Sequence, residues 1–198
     1  AKRCMDSPLR KIRPGGLSGS LEAESVMDGY RTTRLEVPHW RTHIDGGDLQ
    51  KWLETGLRNV LTRPVLRHLP PSFQLGHGAD AIADWVAART AESDVYLVID
   101  RMKAKLLGLL VLADTGQPPP LREIHLGYLL AEHVWGKGVA SELIAGFVEA
   151  SRAQAPVTLT AGVGRDNPAS ARVLDRVGFQ RNPEQSDDET DVFQKQLR

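Results

Sequence analysis

The run Gly127-Tyr128-Leu129-Leu130-Ala131-Glu132-His133-Val134-Trp135-Gly136-Lys137-Gly138-Val139-Ala140 has residue types and spacing suited to holding an anion. A strand-like apolar stretch enters a turn with two glycines, and a helix-like stretch leaves it. Amides at the start of a helix lack intrahelical partners, and the helix dipole adds partial positive charge there. Glycines at that point let a phosphate approach the amides closely. An anion-binding cradle is a physical expectation here, but the glycine-lysine-glycine run taken alone also reads as a plain tight strand-to-helix turn. Two other phosphate motifs do not fit. No hydroxyl residue follows the glycine-lysine pair as a P-loop requires, and Ser141 stands where a dinucleotide fingerprint needs its third glycine.

Just upstream, Glu123 and His125 fall on one strand face together with Gly127, because side chains alternate with a period of two. A carboxylate or an imidazole placed there can take a proton from an attacking nucleophile, and an imidazole suits neutral pH. Downstream, Asn167-Pro168-Ala169-Ser170 reads as a helix start, with Asn167 as N-cap, Pro168 in the first turn and Gly178 just past the end. Ser170 lies in that first turn, where the dipole favours a developing anion. The remaining histidines, His39, His43, His68, His77 and His133, show no spacing that demands a metal, and no metal is expected.

The elements that position these residues follow from the apolar pattern. Leu35 and Val37 alternate as in a strand. Leu49, Trp52, Leu53, Leu57, Val60 and Leu61 share one helical face, and Ile82, Trp85 and Val86 share another. Val95–Ile99 and Leu106–Ala113 read as a hairpin, and a strand over about 122–130 precedes the glycine turn. Val139, Leu143, Ile144, Phe147 and Val148 form the buried face of the next helix. Val157–Thr160, a strand from Phe179 and a strand over Asp191–Leu197 complete the order β-α-α-β-β-β-α-β-α-β-β. That order implies a mixed α/β domain of the α+β type with a mostly antiparallel central sheet. Residues 1–30 carry Pro14-Gly15-Gly16 and no apolar period, so they are expected to form an arm outside a single domain over 31–198.

Two of these segments resemble the motifs of a known superfamily. Tyr128–Ala140 resembles motif A of the GNAT acyltransferases, (Gln/Arg)-x-x-Gly-x-(Gly/Ala), with Gly138 and Ala140 in the last two places and Trp135 where Gln or Arg is commonest. Asn167–Phe179 resembles motif B. The Asn-x-x-Ser opening, the closing Gly-Phe and the Trp-Gly-Lys-Gly form are most similar to the RimJ/RimL branch, as is Thr33-Arg34-Leu35. Members of that branch acetylate protein N-termini and related amines. The resemblance spans about residues 32–197 and implies a GNAT-like sheet with helices on both faces. It implies acetyl-CoA as cosubstrate, with its pyrophosphate on the amides of Trp135, Gly136, Lys137, Gly138, Val139, Ala140 and Ser141. The pantetheine arm would pair like an added strand with the backbone near Leu129 and Leu130, and Asn167 would bond that arm or hold the helix start beside it.

The implied chemistry is attack of a primary amine on the thioester. An N–H near Leu130 would meet the oxyanion. Glu123 roughly matches the place of a carboxylate base in several members, and His125 stands where the branch often has Glu. The tyrosine acid that many members carry seven residues after the motif-B asparagine is replaced by Leu174, and the branch's alternative is Ser170. A protein N-terminus and a small or antibiotic amine are competing acceptors. A toxin acetylating charged tRNA and an acyl-CoA-binding module without turnover are the other readings, and a homodimer stays open.

Composition bounds these readings. In 198 residues, 25 Lys+Arg balance 25 Asp+Glu, which argues against a nucleic-acid partner and its broad basic surface. Hydrophobic residues make up 41%, as in globular proteins generally. The apolar run Leu106–Ala113 is far short of the ~20 residues that cross a bilayer, so no membrane association is expected. Cys4 is the single cysteine, which fits a cytoplasmic protein.

Overall fold

Alternating and continuous apolar runs become eight strands of one sheet in the computed structural model, which describes residues 26–44 and 47–198. The strands are β1 (Gly29–Arg31), β2 (Leu35–Pro38), β3 (Asp94–Asp100), β4 (Lys105–Asp114), β5 (Glu123–Leu130), β6 (Val157–Gly164), β7 (Gln180–Asn182) and β8 (Thr190–Leu197). Their order is β1-β2-β3-β4-β5-β6-β8-β7. Every neighbouring pair is antiparallel except β5 with β6. Six helices cover the sheet: α1 (Arg41–Ile44), α2 (Gly47–Val60), α3 (Arg63–Leu66), α4 (Ala81–Glu92), α5 (Val139–Ser151) and α6 (Pro168–Val177). No helix among the described residues is long and apolar enough to cross a membrane.

Each face of the sheet has its own core, as strand alternation requires. On one face Leu143, Ile144 and Phe147 of α5 and Leu174 of α6 pack on Ile124 and Leu126 of β5 and Leu159 of β6. On the other, Leu53 and Leu57 of α2 and Ile82 and Trp85 of α4 pack on Leu97, Leu109, Val111 and Leu129. The side chain of Leu49, expected on the α2 face, lies outside the described residues. The mixed, mostly antiparallel sheet and its two helical layers agree with the sequence reading.

The N-terminal boundary needs correction. Of the arm expected over 1–30, residues 1–25 lie outside the described residues, but 26–30 are built into the domain. Val26 is buried, its amide donates to Asp94 Oδ2 at 2.8 Å, and the Tyr96 hydroxyl both accepts from Met27 N and donates to Met27 O. Tyr30 of β1 donates its hydroxyl to Leu143 O of α5 at 2.7 Å. Its ring reaches α5 because residue 146 is glycine; a Cβ there would lie 2.8 Å from Tyr30 Cε2. Three residues of strand are too short to register as a period, and their partners are distant in sequence.

Candidate active site

The site begins where β5 and β6 part. Among the described residues they pair only at Glu123↔Thr158, Ile124↔Leu159 and His125↔Thr160, yet β5 runs on to Leu130 and β6 to Gly164. The result is a fork in the sheet. Which β5 groups face it follows from the ladder with β4. Ala131 N donates to Leu107 O and Thr115 N to Glu123 O, so odd-numbered residues of β5 direct N–H and C=O toward β4. Thr158 N donates to Arg122 O, so even-numbered residues face β6. Tyr128 and Leu130 therefore present their backbone groups to the fork. The backbone of Leu129 belongs to the β4 ladder and its side chain to the core, which corrects its assignment to the cofactor arm. The Leu130 carbonyl is taken by Trp135 Nε1–H at 2.7 Å, and its N–H remains directed into the opening.

A single 3-10 turn, Glu132–Val134, leads from β5 to the glycines. Gly136 and Gly138 have φ of 71° and 74°, left-handed conformations that cost other residues energy. They turn successive amides outward into a concave nest at the start of α5. The amides of Trp135 and Lys137 are already committed, to Glu132 O at 3.0 Å and Val134 O at 3.4 Å, which removes them from the expected anion set. Glu142 N starts the helical ladder on Gly138 O. Gly136, Gly138, Val139, Ala140 and Ser141 are left to offer N–H groups, and no atom lies within 4 Å of where a Cβ on Gly136 would stand. The donor set, its dipole and its open approach fit a pyrophosphate.

Arg34, in the Thr33-Arg34-Leu35 segment, braces this turn. Its Nη1 donates to Lys137 O at 3.1 Å and its Nε to Glu142 Oε2 at 2.5 Å. Burial works to raise the Glu142 carboxyl, but hydrogen bonds from Thr32 Oγ1, Arg34 N and the Arg34 guanidinium, with its charge, hold it below the usual carboxylate range. Arg176 of α6 adds a second cation, 3.4 Å from Ser141 Oγ.

At the closed end of the fork, on the face away from α5, the structure brings Glu123 and His125 together as strand parity requires. His125 Nε2 lies 3.7 Å from Glu123 Oε1. That oxygen accepts from Thr160 Oγ1 at 2.5 Å and from Gln194 Nε2 at 3.4 Å. Thr160 pairs with His125 on one side and with Gln194 on the other, so three neighbouring strands converge on the carboxylate. Thr160 and Gln194 were not singled out from sequence. Nothing local marks them, and only the pairing of β6 with β8 reveals their role. The acidic run Asp187-Asp188-Glu189 closes the β7–β8 turn, where Asp187 Oδ1 accepts from Glu189 N and Thr190 N.

At the tip of the other prong, Asn167 Oδ1 accepts from Ser170 N at 3.2 Å and caps α6. Leu174 is fully buried, so that position contributes packing alone. The Tyr128 side chain packs against the same core, and its hydroxyl is sealed from solvent beside Ser170. The two prongs are also tied across: Thr62 Oγ1 donates to Glu132 Oε1 at 2.7 Å, and His68 Nδ1 lies 3.1 Å from Asp166 Oδ2, so the α3 segment spans the opening.

Residues 40–180 match the family model described as an Acetyltransferase (GNAT) domain. Solved structures share the fold at low identity. An acetyltransferase from Agrobacterium tumefaciens is 19% identical, with 91% of this chain and 99% of that one covered and a TM-score of 0.58. A spermidine N-acetyltransferase from Vibrio cholerae in complex with CoA and spermine is 14% identical, with coverage of 84% and 97% and a TM-score of 0.60. A ribosomal-protein-S5-alanine acetyltransferase from Vibrio fischeri is 14% identical, with coverage of 85% and 96% and a TM-score of 0.55. No curated protein sequence matches significantly. With a glycine nest at the mouth of a forked sheet and a family match over most of its length, the chain belongs to the GNAT acetyltransferases and is an acyltransferase that takes its acetyl group from acetyl-CoA.

Proposed function

We propose that this enzyme acetylates the α-amine of a polypeptide N-terminus, as a RimJ/RimL-like member of its family working in the cytoplasm. The observation that carries the reading is the pairing of His125 with a carboxylate at the closed end of the fork, next to the unpaired edge of β5. Imidazoles and α-amines titrate within about two units of each other, whereas lysine-type amines lie some four units above an imidazole. A histidine base therefore matches an α-amine far better than a polyamine or a lysine. The Vibrio fischeri neighbour, an S5-alanine acetyltransferase, supports the same acceptor class, although it shares only the fold.

In this reading the amides of Gly136, Gly138, Val139, Ala140 and Ser141 hold the pyrophosphate of the substrate acetyl-CoA. The backbone of Tyr128 pairs with its extended arm, Leu130 keeps its N–H for the acetyl oxygen, and Asn167 offers its Nδ2–H donors to the arm. His125 takes the proton that the α-ammonium must lose to attack and, having passed it to solvent, takes the second proton that nitrogen sheds as the N–C bond forms. Glu123, fixed by Thr160 and Gln194, offsets the imidazolium charge that results. As the N–C bond forms, the carbonyl electron pair moves onto oxygen and the Leu130 N–H stabilises it. The C–S bond then breaks with its electrons on sulfur. Ser170 and the N-terminal dipole of α6 stabilise that thiolate.

The test is a competition. The full chain is incubated with acetyl-CoA, peptides with free N-terminal Ser or Ala, an N-blocked lysine peptide and spermidine, and products are read by mass spectrometry. Acetylation of the free N-termini is expected. Preferential acetylation of spermidine or of the lysine side chain overturns the acceptor reading.

A further inference from the structure

Close packing accounts for three glycines inside helices and strands. A Cβ on Gly108 of β4 would run into Leu129 O, one on Gly146 of α5 would lie 2.6 Å from Thr32 Cγ2, and one on Gly56 of α2 would lie 2.8 Å from Leu106 Cβ. Gly127 has no such reason. It sits inside β5 with a φ that is not positive, and a Cβ there would meet no atom within 4 Å. Glycine within a strand costs stability, and where packing does not demand it, the close approach of a ligand does. The place of Gly127 on the sheet says which ligand. It shares the face of Glu123 and His125 and lies opposite Val111 of β4. The next side chain along that face is Leu129, so His125 and Leu129 stand about 13 Å apart with room for one side chain between them. Across the fork, the residue two beyond Thr160 on β6 is Gly162, which is exposed. Just past the closed end, neither prong puts a side chain on this face.

We propose that Gly127 is the specificity-determining residue on the acceptor side: the space above it seats the first side chain of the acceptor polypeptide, a small apolar one, while the α-amine turns to His125. The inference rests on the α-amine reading above and adds where the rest of that residue goes. The walls set the chemistry. Val111 and Leu129 are buried aliphatic side chains of the second core, so the space receives an apolar group. Its polar end is the imidazole, which receives the amine proton. With no atom within 4 Å of the Cβ position, a methyl fits there without a clash. An N-terminal residue carries its amine and its side chain on the same carbon, so it meets both ends of this space at once. The amine of spermidine or of a lysine ends an unbranched methylene chain and has no branch to place over Gly127. Gly162 leaves the other prong clear, so the amine can reach the thioester between the two strands.

The test exchanges a methyl between enzyme and acceptor. Wild type and Gly127→Ala, each as the full chain, are assayed with acetyl-CoA and two peptides that differ only in a first residue of Gly or Ala, with spermidine alongside. In Gly127→Ala, kcat/KM should fall at least about tenfold for the Ala peptide and hold for the Gly peptide, because the enzyme's methyl now fills the place of the acceptor's. The preference for Ala over Gly should therefore drop by the same factor, a coupling that a general disturbance of the site would not produce. Melting temperature and the Kd for CoA should match wild type, since the added Cβ meets no atom. An unchanged preference ratio, whether both peptides lose rate or neither does, overturns the inference and leaves the α-amine reading standing. A Gly127→Ala protein that melts lower or binds CoA more weakly also overturns it, by giving the glycine to the fold. A wild type that prefers spermidine to both peptides overturns the α-amine reading, and the inference falls with it.

Discussion

Replacing Gly138 by alanine separates backbone conformation from space at the proposed pyrophosphate nest. Gly138 caps α5 at φ 74°, where an L-residue costs roughly 1–2 kcal/mol. Crowding adds nothing, because a Cβ there meets only Arg34 Nη2, at 3.7 Å. The penalty is conformational, and the chain can meet it in two ways. If φ stays positive, the fold loses that energy, roughly 2–8 °C of melting temperature for a chain of this size. If φ relaxes to negative values, the amides of Gly138 and Val139 leave their common focus. In both cases a methyl now stands among the donors, so the Kd for CoA should rise at least about tenfold, or about 1.4 kcal/mol. Calorimetric titration with CoA and thermal denaturation measure the two effects separately. Gly127→Ala is the control: its φ is not positive and its Cβ would meet nothing within 4 Å, so stability and CoA affinity should both hold. A Gly138→Ala protein that binds CoA like wild type would refute the placement of the phosphates.

His125→Ala should lower turnover by about 10²–10⁴ with CoA affinity unchanged, as steady-state rates on an N-terminal peptide would report. Thr160→Val removes the 2.5 Å hydrogen bond on Glu123 and should lower kcat by roughly tenfold, the equivalent of about one such bond to a charged group, with KM for acetyl-CoA held. Trp135→Phe releases the Leu130 carbonyl and should weaken CoA binding by about 1 kcal/mol or less, readable by the same titration. Glu142 and Asp94 both titrate below ordinary carboxylates in the folded chain, so their stabilisation is complete at neutral pH and is lost as pH falls through the folded-state values. Melting temperature should therefore fall on acidification, and Glu142→Gln should be less stable at neutral pH and flatter in acid.

The glycine nest and the Glu123–His125 pair were legible because each is local: two glycines before an apolar helical face, and two side chains of one parity. Side-chain parity did not disclose backbone parity. Whether Leu129 or Tyr128 turns its amide to the fork depends on which residue of β4 lies opposite, and register is a long-range fact. The same limit hid Gln194, which reaches Glu123 only through β8 pairing with β6. β1 escaped notice because three residues carry no period, and what holds Tyr30 is a gap at Gly146 on a distant helix. Arg34 was noticed for its motif, yet its work on the Lys137 carbonyl emerges only when β2 is laid beside α5.

The short parallel seam has a consequence for the life of the protein. Three residue pairs join the β1–β5 half of the sheet to the β6–β8 half. On the proposed placement, the pantetheine arm supplies the hydrogen bonds that lengthen this seam, so a substrate serves as a missing strand. Binding then adds to folding free energy as RT ln(1 + [L]/Kd), about 2.7 kcal/mol when the ligand stands at a hundredfold over its Kd. Between turnovers, an enzyme starved of CoA and acetyl-CoA is the more easily opened and cut. Its abundance would follow the supply of its own donor, with no regulator other than the gap in its sheet.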